Sequence, residues 1–230
     1  MRIVSRALAW IGGGLFVLSL AVCAWFYFVS LGHPGAGGGA TAFAVDVALV
    51  TAFALHHSLF ARDLVKRPLA RKFGPLERSA YVWIASLLLV AVCWRWQPIG
   101  GQMYAAAGAL VLVHVAIQLA GLWLIVRAVA GLDPLELAGI RQAMGTPPKM
   151  EALQTRGPYG LVRHPLYLGW ALLLFGTSTM TADRLAFAAL TSFYLMVAIP
   201  WEERALLKSL GDDYSRYQRR VRWRMIPFVY

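Results

Sequence analysis

Apolar runs of about the length that a bilayer crossing requires, roughly 20 residues, recur along this chain of 230 residues. They leave little room for anything but an all-helical, polytopic membrane bundle. Six spans are expected, over 7–31, 42–60, 80–96, 103–126, 166–181 and 185–200. Five passes result instead if one of the short segments is re-entrant. The last two are short and joined by the polar turn Ala182-Asp183-Arg184, so they read as a helical hairpin. Only 14% of residues are charged and 59% are hydrophobic, where a soluble domain carries about a quarter charged. A disordered chain, a secreted disulfide scaffold and an ordinary soluble enzyme are excluded. The apolar stretch after Arg2 and Arg6 continues to Leu31, longer than a signal-peptide core, so it reads as an uncleaved first span.

The charges are distributed as sharply as the apolar runs. A net charge of +11 would point to nucleic acid in a soluble chain. Here 20 of the 22 Lys and Arg residues fall in alternate loops and the two ends, leaving Arg95 and Arg184 for the other side. The positive-inside rule then places both termini in the cytoplasm, and six spans require the termini to share a side. The expectation is an integral protein of a bacterial inner membrane, with lipid as its surroundings and no nucleic-acid partner. Nothing in the sequence calls for an obligate protein partner. Cys23 and Cys93 lie inside apolar runs and read as small buried hydrophobes.

After Pro200, Leu206, Leu210, Tyr214, Tyr217 and Val221 recur every three or four residues, with Arg216, Arg219, Arg220, Arg222 and Arg224 crowded among them. This is an amphipathic helix for the cytoplasmic membrane surface, or one that closes over the bundle. Gly211 interrupts it.

Two short stretches carry the chemistry. In RGPYGLVRHPLYLGW (156–170), Pro165 keeps His164 extended and suits the first helical turn. A helix starting there offers backbone N–H groups and a positive dipole end. With Arg163 and His164 it forms a seat for a carboxylate or phosphate. A Pro-initiated span with an Arg anchored among headgroups is the equally good structural reading. The second stretch is Glu202-Glu203. Adjacent residues of a helix point to different sides. One acid is therefore expected to face a cavity, where it would bind hydroxyls or an ammonium group. The other is expected to pair with Arg204, Arg163 or the headgroup region.

Polar residues at membrane depth are costly and usually face the bundle interior. His114 and Gln118 share one helix face and are expected to bond between helices. Asp46 lies on nearly the same face as His57, roughly 16 Å along the axis. His56 and His57 diverge, and no acid or thiolate stands at metal spacing, so no metal is expected.

The arrangement GPY-x-x-VRHP-x-Y-x-G, a helical hairpin, E-E-x-x-L and G-x-x-Y-x-x-Y-x-x-x-V (157–221) resembles the membrane methyltransferases related to isoprenylcysteine carboxyl methyltransferase. HHSLFAR (56–62), ERSAYV (77–82), WRWQPI (94–99) and GIRQ (139–142) narrow the resemblance to the bacterial methanethiol S-methyltransferases. That resemblance implies S-adenosylmethionine as methyl donor, S-adenosylhomocysteine as product, and methanethiol or a similarly small apolar thiol as acceptor, giving dimethyl sulfide. It implies contacts to the cofactor from Gln142, Leu153, Tyr159, Arg163, His164, Pro165, Leu166, Tyr167 and Glu202. The chain then reads as one membrane domain, with four spans over 1–131 and a cofactor-binding region over 132–230. The prenylcysteine enzymes carry a substrate-recognising arginine one turn before the matching acid, where this chain has Ala198; this argues for a neutral thiol. His57, Tyr81 and Glu203 are the candidate catalytic residues: His57 or Glu203 to take the thiol proton, Tyr81 to hydrogen-bond the thiolate. The rivals are another acceptor in the same fold, either an isoprenylcysteine carboxylate or a lipid amine, and a non-enzymatic membrane protein associated with nitrite and nitric oxide reduction.

Overall fold

The computed structural model describes residues 2–60, 65, 68–69, 71, 74–145 and 153–230. Ala61 and Arg62, the end of the 56–62 motif, lie outside them. The chain divides into two compact units, Met1–Gly101 with Leu132–Met150, and Gln102–Gly131 with Glu151–Tyr230. Among the described residues five helices are long and apolar enough to cross a membrane: Ile3–Gly32, Gly39–Leu59, Glu77–Arg95, Ala109–Val129 and Ala182–Leu210. Large apolar side chains stand on their outer faces, with Leu112 72% and Trp94 80% exposed. Such surface suits lipid rather than water.

The first unit is built on α1 (Arg2–Phe28), α2 (Gly39–Leu59) and α3 (Glu77–Arg95), with α3 packed against both others. Gly12 permits the approach of α1 to α3, since a Cβ there would lie 2.7 Å from Trp83 Nε1. The Trp83 indole donates to the Leu8 carbonyl at 3.1 Å. Asp46 is fully buried on α2, and its Oδ1 accepts the Gln97 amide at 2.8 Å. It therefore holds the chain just past the end of α3, a structural use of a costly buried acid. Two one-turn helices, α5 (Pro134–Leu137) and α6 (Ile140–Ala143), complete the unit. Asp133 caps α5 by accepting the amides of Leu135 and Glu136, and it pairs with Arg141. Burial works against its charge, but Arg141 and the two amides outweigh that and lower its pKa. Ile140 and Ala138 pack on Ala9, and Ser79 Oγ donates to the Gly139 carbonyl at 3.0 Å. The ERSAYV and GIRQ motifs are thus neighbours.

The second unit consists of β1 (Gln102–Ala105), α4 (Ala109–Val129), α7 (Pro165–Phe175), β2 (Thr179–Thr181), α8 (Ala182–Leu210) and α9 (Asp212–Arg220). The segment expected as a fifth span is different in kind: α7 has only 11 residues, too short by itself for a crossing. The expected turn at 182–184 is instead the first turn of α8, because Thr181 Oγ1 accepts the Arg184 amide at 3.1 Å as an N-cap. The reversal comes earlier, at 176–181, where β2 pairs antiparallel with β1.

The segment nevertheless runs alongside the length of α8. At one end His164 lies against Glu203; at the other, Arg184 binds the Thr179 carbonyl at 2.7 Å. From Ala182 to Glu203 α8 rises roughly 30 Å, and 165–181 covers that length as a short helix plus extended chain. Extended residues rise about twice as far as helical ones, so fewer are needed.

Where α7 stops, its orphaned carbonyls need partners. Gln118 Nε2 donates to Leu173 O at 3.2 Å and His114 Nδ1 to Gly176 O at 3.1 Å, as interhelical bonding by this pair requires. The helices approach closely enough because residues 121 and 169 are glycines: a Cβ on Gly121 would meet Leu173 N at 2.6 Å and Gly169 O at 2.7 Å.

Candidate active site

Val162 fixes the start of the site. It is fully buried against Leu124 of α4 and Leu168 of α7, so the two residues that follow are presented toward α8. The Arg163 guanidinium meets Glu203 side-on, with Nε 2.6 Å from Oε1 and Nη2 3.3 Å from Oε2. Its Nη1 donates to the carbonyls of Val221 at 2.8 Å and Arg222 at 2.9 Å. Only 7% of the Arg163 side chain is exposed. A guanidinium so occupied braces the protein; it does not stand open to an anion. The backbone amides of Arg163 and His164 are also used, donating to Trp223 O at 2.9 Å and Arg224 O at 2.7 Å.

His164 lies between the two glutamates. Its Nε2 is 3.5 Å from Glu203 Oε1 and its Nδ1 is 3.6 Å from Glu202 Oε2. The imidazole stacks on Tyr167, one helical step into α7, with centroids 5.3 Å apart. Tyr167 in turn donates its hydroxyl to Glu202 Oε1. The adjacent acids of α8 therefore have opposite surroundings. Glu203 is 5% exposed and held by Arg163, Arg224 and Gln218; Glu202 is 42% exposed and held on one side only, by Tyr167 and His164. Of the sequence expectation, the paired acid is Glu203, with Arg163 as the partner among the alternatives, and the other acid, Glu202, is exposed. Glu203 has little capacity left to act as a base, because both its oxygens already accept charge-assisted bonds.

Pro165 is fully buried and Leu166 half-buried at the start of α7. Tyr159 sits in the single turn Gly157–Gly160, its hydroxyl donating to Ala128 O at 3.3 Å and its carbonyl accepting from Tyr217 at 2.8 Å. Leu153 and Tyr159 pack on the buried cluster of Tyr214, Tyr217 and Val221. Burial, and then the charge of Glu203, pushes the Tyr214 phenol above its ordinary pKa, and burial does the same for Tyr217. Both stay protonated donors.

The second unit thus gathers Leu153, Tyr159, Arg163, His164, Pro165, Leu166, Tyr167, Glu202 and Glu203. Gln142, His57 and Tyr81 belong to the first unit. Gln142 lies on α6, with Oε1 buried and without a hydrogen-bond partner among the described residues. The Tyr81 hydroxyl lies 2.8 Å from His57 Nδ1 and 3.3 Å from the His57 carbonyl. If it donates to the carbonyl it accepts from Nδ1–H, a tautomer that puts the imidazole lone pair on Nε2. Arg78 lies over the Tyr81 ring at 5.0 Å. Gln218 and Arg224, which touch Glu203, were missed by the sequence reading as site residues. The sequence leaves the arginine-rich tail as a membrane-surface helix or one closing over the bundle, and the Tyr-x-x-Tyr-x-x-x-Val spacing marks the same segment.

Residues 104–213 match the family model described as phospholipid methyltransferase. The chain is 38% identical to methanethiol S-methyltransferase 2 of Bradyrhizobium diazoefficiens over 77% of its own length and 70% of that protein. It is 37% identical to the methanethiol S-methyltransferase of Crocosphaera subtropica, over 82% and 76% of the two chains. With the methanethiol S-methyltransferase of a Pseudomonas species it shares 34% identity over 90% and 84%. No solved structure matches. A helical bundle with apolar outer faces, joined to this degree of identity over most of both chains, identifies the protein as a membrane methyltransferase belonging to the methanethiol S-methyltransferase family.

Proposed function

We propose that the protein moves the methyl group of S-adenosylmethionine to the sulfur of methanethiol or a comparably small apolar thiol, releasing dimethyl sulfide and S-adenosylhomocysteine. The observation that carries the cofactor half is the half-exposed Glu202 carboxylate, oriented by Tyr167 and His164 beside the start of α7. An exposed, pre-oriented acid fits the ammonium group or ribose hydroxyls of this cofactor, and the His164 imidazole, with one nitrogen toward each glutamate, keeps Glu202 in that orientation. When bound, S-adenosylmethionine supplies an electrophilic methyl on a sulfonium, whose transfer to a thiolate cancels both charges.

The remaining roles fall to this chain's own side chains. Glu202, Tyr167 and His164 bind and orient. Pro165 and Leu166 shape the start of α7, while Tyr159 and Leu153 supply apolar and aromatic cover. The resemblance alone adds Gln142 to the cofactor contacts. Arg163 and Glu203 are assigned to bracing, not to ligand contact or base catalysis. His57 Nε2 takes the thiol proton, with Tyr81 fixing the tautomer and stabilising the thiolate. Ala198, buried one turn before Glu202, offers no cation for a carboxylate substrate and supports a neutral acceptor. The charge distribution of the loops supports a cytoplasmic position for both termini and for the cofactor site, and an apolar thiol reaches such a site through lipid.

The match to the phospholipid methyltransferase model favours a lipid amine as the second reading of the acceptor. Thermal shift with S-adenosylmethionine and S-adenosylhomocysteine, on wild type and Glu202→Ala, tests the cofactor site. Headspace detection of dimethyl sulfide after adding methanethiol tests the acceptor. Stabilisation lost in the variant and dimethyl sulfide from wild type are expected. Stabilisation with methylated phosphatidylethanolamine and no thioether would move the acceptor to lipid, and no stabilisation of folded wild type would remove the cofactor assignment.

A further inference from the structure

The segment that holds the Arg163–His164 turn in place lies beyond the residues that match the family model, which end at 213. Four carbonyls in succession, from Val221 to Arg224, accept hydrogen bonds from these two residues: Arg163 Nη1 to Val221 and Arg222, and the amides of Arg163 and His164 to Trp223 and Arg224. Two side chains of the same segment then close on Glu203. Arg224 Nε lies 3.3 Å from Oε2, and Gln218 Nε2 donates to that oxygen at 3.2 Å. Arg224 is itself held, with its guanidinium 5.2 Å from the Tyr230 ring centroid. Glu203 thereby faces Arg163 and His164 with one oxygen, and Arg163, Arg224 and Gln218 with the other.

We propose that Arg224 and Gln218 are positioning residues of the cofactor site, acting on bound S-adenosylmethionine through Glu203 and His164 without touching it. This rests on the reading that the cofactor binds at Glu202 and His164. The imidazole has one nitrogen toward each glutamate, so its plane is fixed only while the buried Glu203 carboxylate is fixed. Arg163 approaches that carboxylate from the turn being positioned, so it cannot serve as the external reference. Arg224 and Gln218 are that reference, because they are anchored in the tail. Without them the backbone of the turn stays bonded to 221–224, but Glu203 Oε2 loses its Arg224 and Gln218 contacts. The carboxylate then turns about its Arg163 pair, and the His164 imidazole, the stacked Tyr167 and the Glu202 bond lose their fixed orientation.

The test compares Arg224→Ala/Gln218→Ala with wild type and with Arg216→Ala, an equal loss of charge on an exposed part of α9. The readouts are the Kd for S-adenosylhomocysteine and the separate KM values for S-adenosylmethionine and thiol. Loss of charge-assisted bonds of this kind predicts about a tenfold rise in the Kd and the cofactor KM. The thiol KM and kcat stay near wild type, Arg216→Ala shows no change, and Arg224→Lys recovers part of the affinity. A cofactor KM within twofold of wild type in the double variant overturns the proposal, as does a parallel rise in both KM values with a fall in kcat. If the double variant does not fold, Gln218→Ala and Arg224→Lys are measured singly; a threefold or greater weakening supports the proposal and unchanged affinity overturns it. Failure of wild type to bind either adenosyl compound is a different result, since it removes the cofactor reading itself.

Discussion

Arg163 and Glu203, 40 residues apart in sequence, meet through two N–H···O bonds at 2.6 and 3.3 Å with almost no exposure of either side chain. Removing one partner of such a pair leaves an uncompensated buried charge, which costs about 3–5 kcal/mol. Arg163→Ala and Glu203→Ala are therefore expected to lower the thermal unfolding temperature in detergent markedly. A Glu203→Gln variant that folds and binds S-adenosylhomocysteine as wild type, yet has lost kcat alone, would return Glu203 to the role of base.

Tyr167→Phe deletes one hydroxyl and leaves the stacking on His164. The bond it removes goes to a charged carboxylate, worth roughly 1.5 kcal/mol or more, so Glu202 loses its orientation while the fold is kept. The expected result is about a tenfold rise in the KM for S-adenosylmethionine with the unfolding temperature of the ligand-free protein lowered by no more than a few degrees. An unaltered KM would detach Glu202 and Tyr167 from the cofactor.

His57→Ala is expected to lower kcat by about a hundredfold at neutral pH, the low end of general-base contributions. The sign of the pH dependence follows from the role. Wild-type activity rises as the imidazole loses its proton, and the deficit of the variant shrinks as pH approaches the pKa of the thiol, where thiolate is present without help. Tyr81→Phe removes the hydroxyl beside Nδ1 and is expected to fall between the two. A rate deficit independent of pH would assign His57 to packing.

Gly121→Ala tests the close approach of α4 to α7. The added Cβ would sit 2.6 Å from a backbone nitrogen and 2.7 Å from a carbonyl oxygen, and neither can rotate away. Separation of the helices also breaks the Gln118 and His114 bonds to the end of α7. A loss of about 1–3 kcal/mol is expected, read as a lower unfolding temperature; Gly14→Ala, with open space around its Cβ, is the matched control.

Much of this architecture is written locally. The apolar runs specified α1 to α3 closely, because helical hydrogen bonds close within each run and its outer surface needs only lipid. By contrast, α4 starts six residues later than its run, after β1, and α8 continues ten residues past Pro200 to Leu210. Pro165 set the start of α7 by removing an amide and fixing φ, and Gly211, at φ 53, set the break between α8 and α9. The end of α7 was not legible. Gly176 and the weak helix formers Thr177, Ser178, Thr179 and Thr181 only disfavour helix, and the segment becomes extended because β2 finds a partner in β1, some 75 residues earlier.

The sequence by itself determined which residues meet the membrane, where the helices begin, and that Glu202 and Glu203 must face different ways, because adjacent positions on a helix are about 100° apart. Only the tertiary structure decided which acid is buried and what it binds. That choice depends on charges brought from 163, 218 and 224, and a Coulombic pairing is set by distance in space and local burial. Neither quantity is a property of a single segment, so the sequence left the tail as a surface helix or one closing over the bundle, and the structure makes it the support of Glu203.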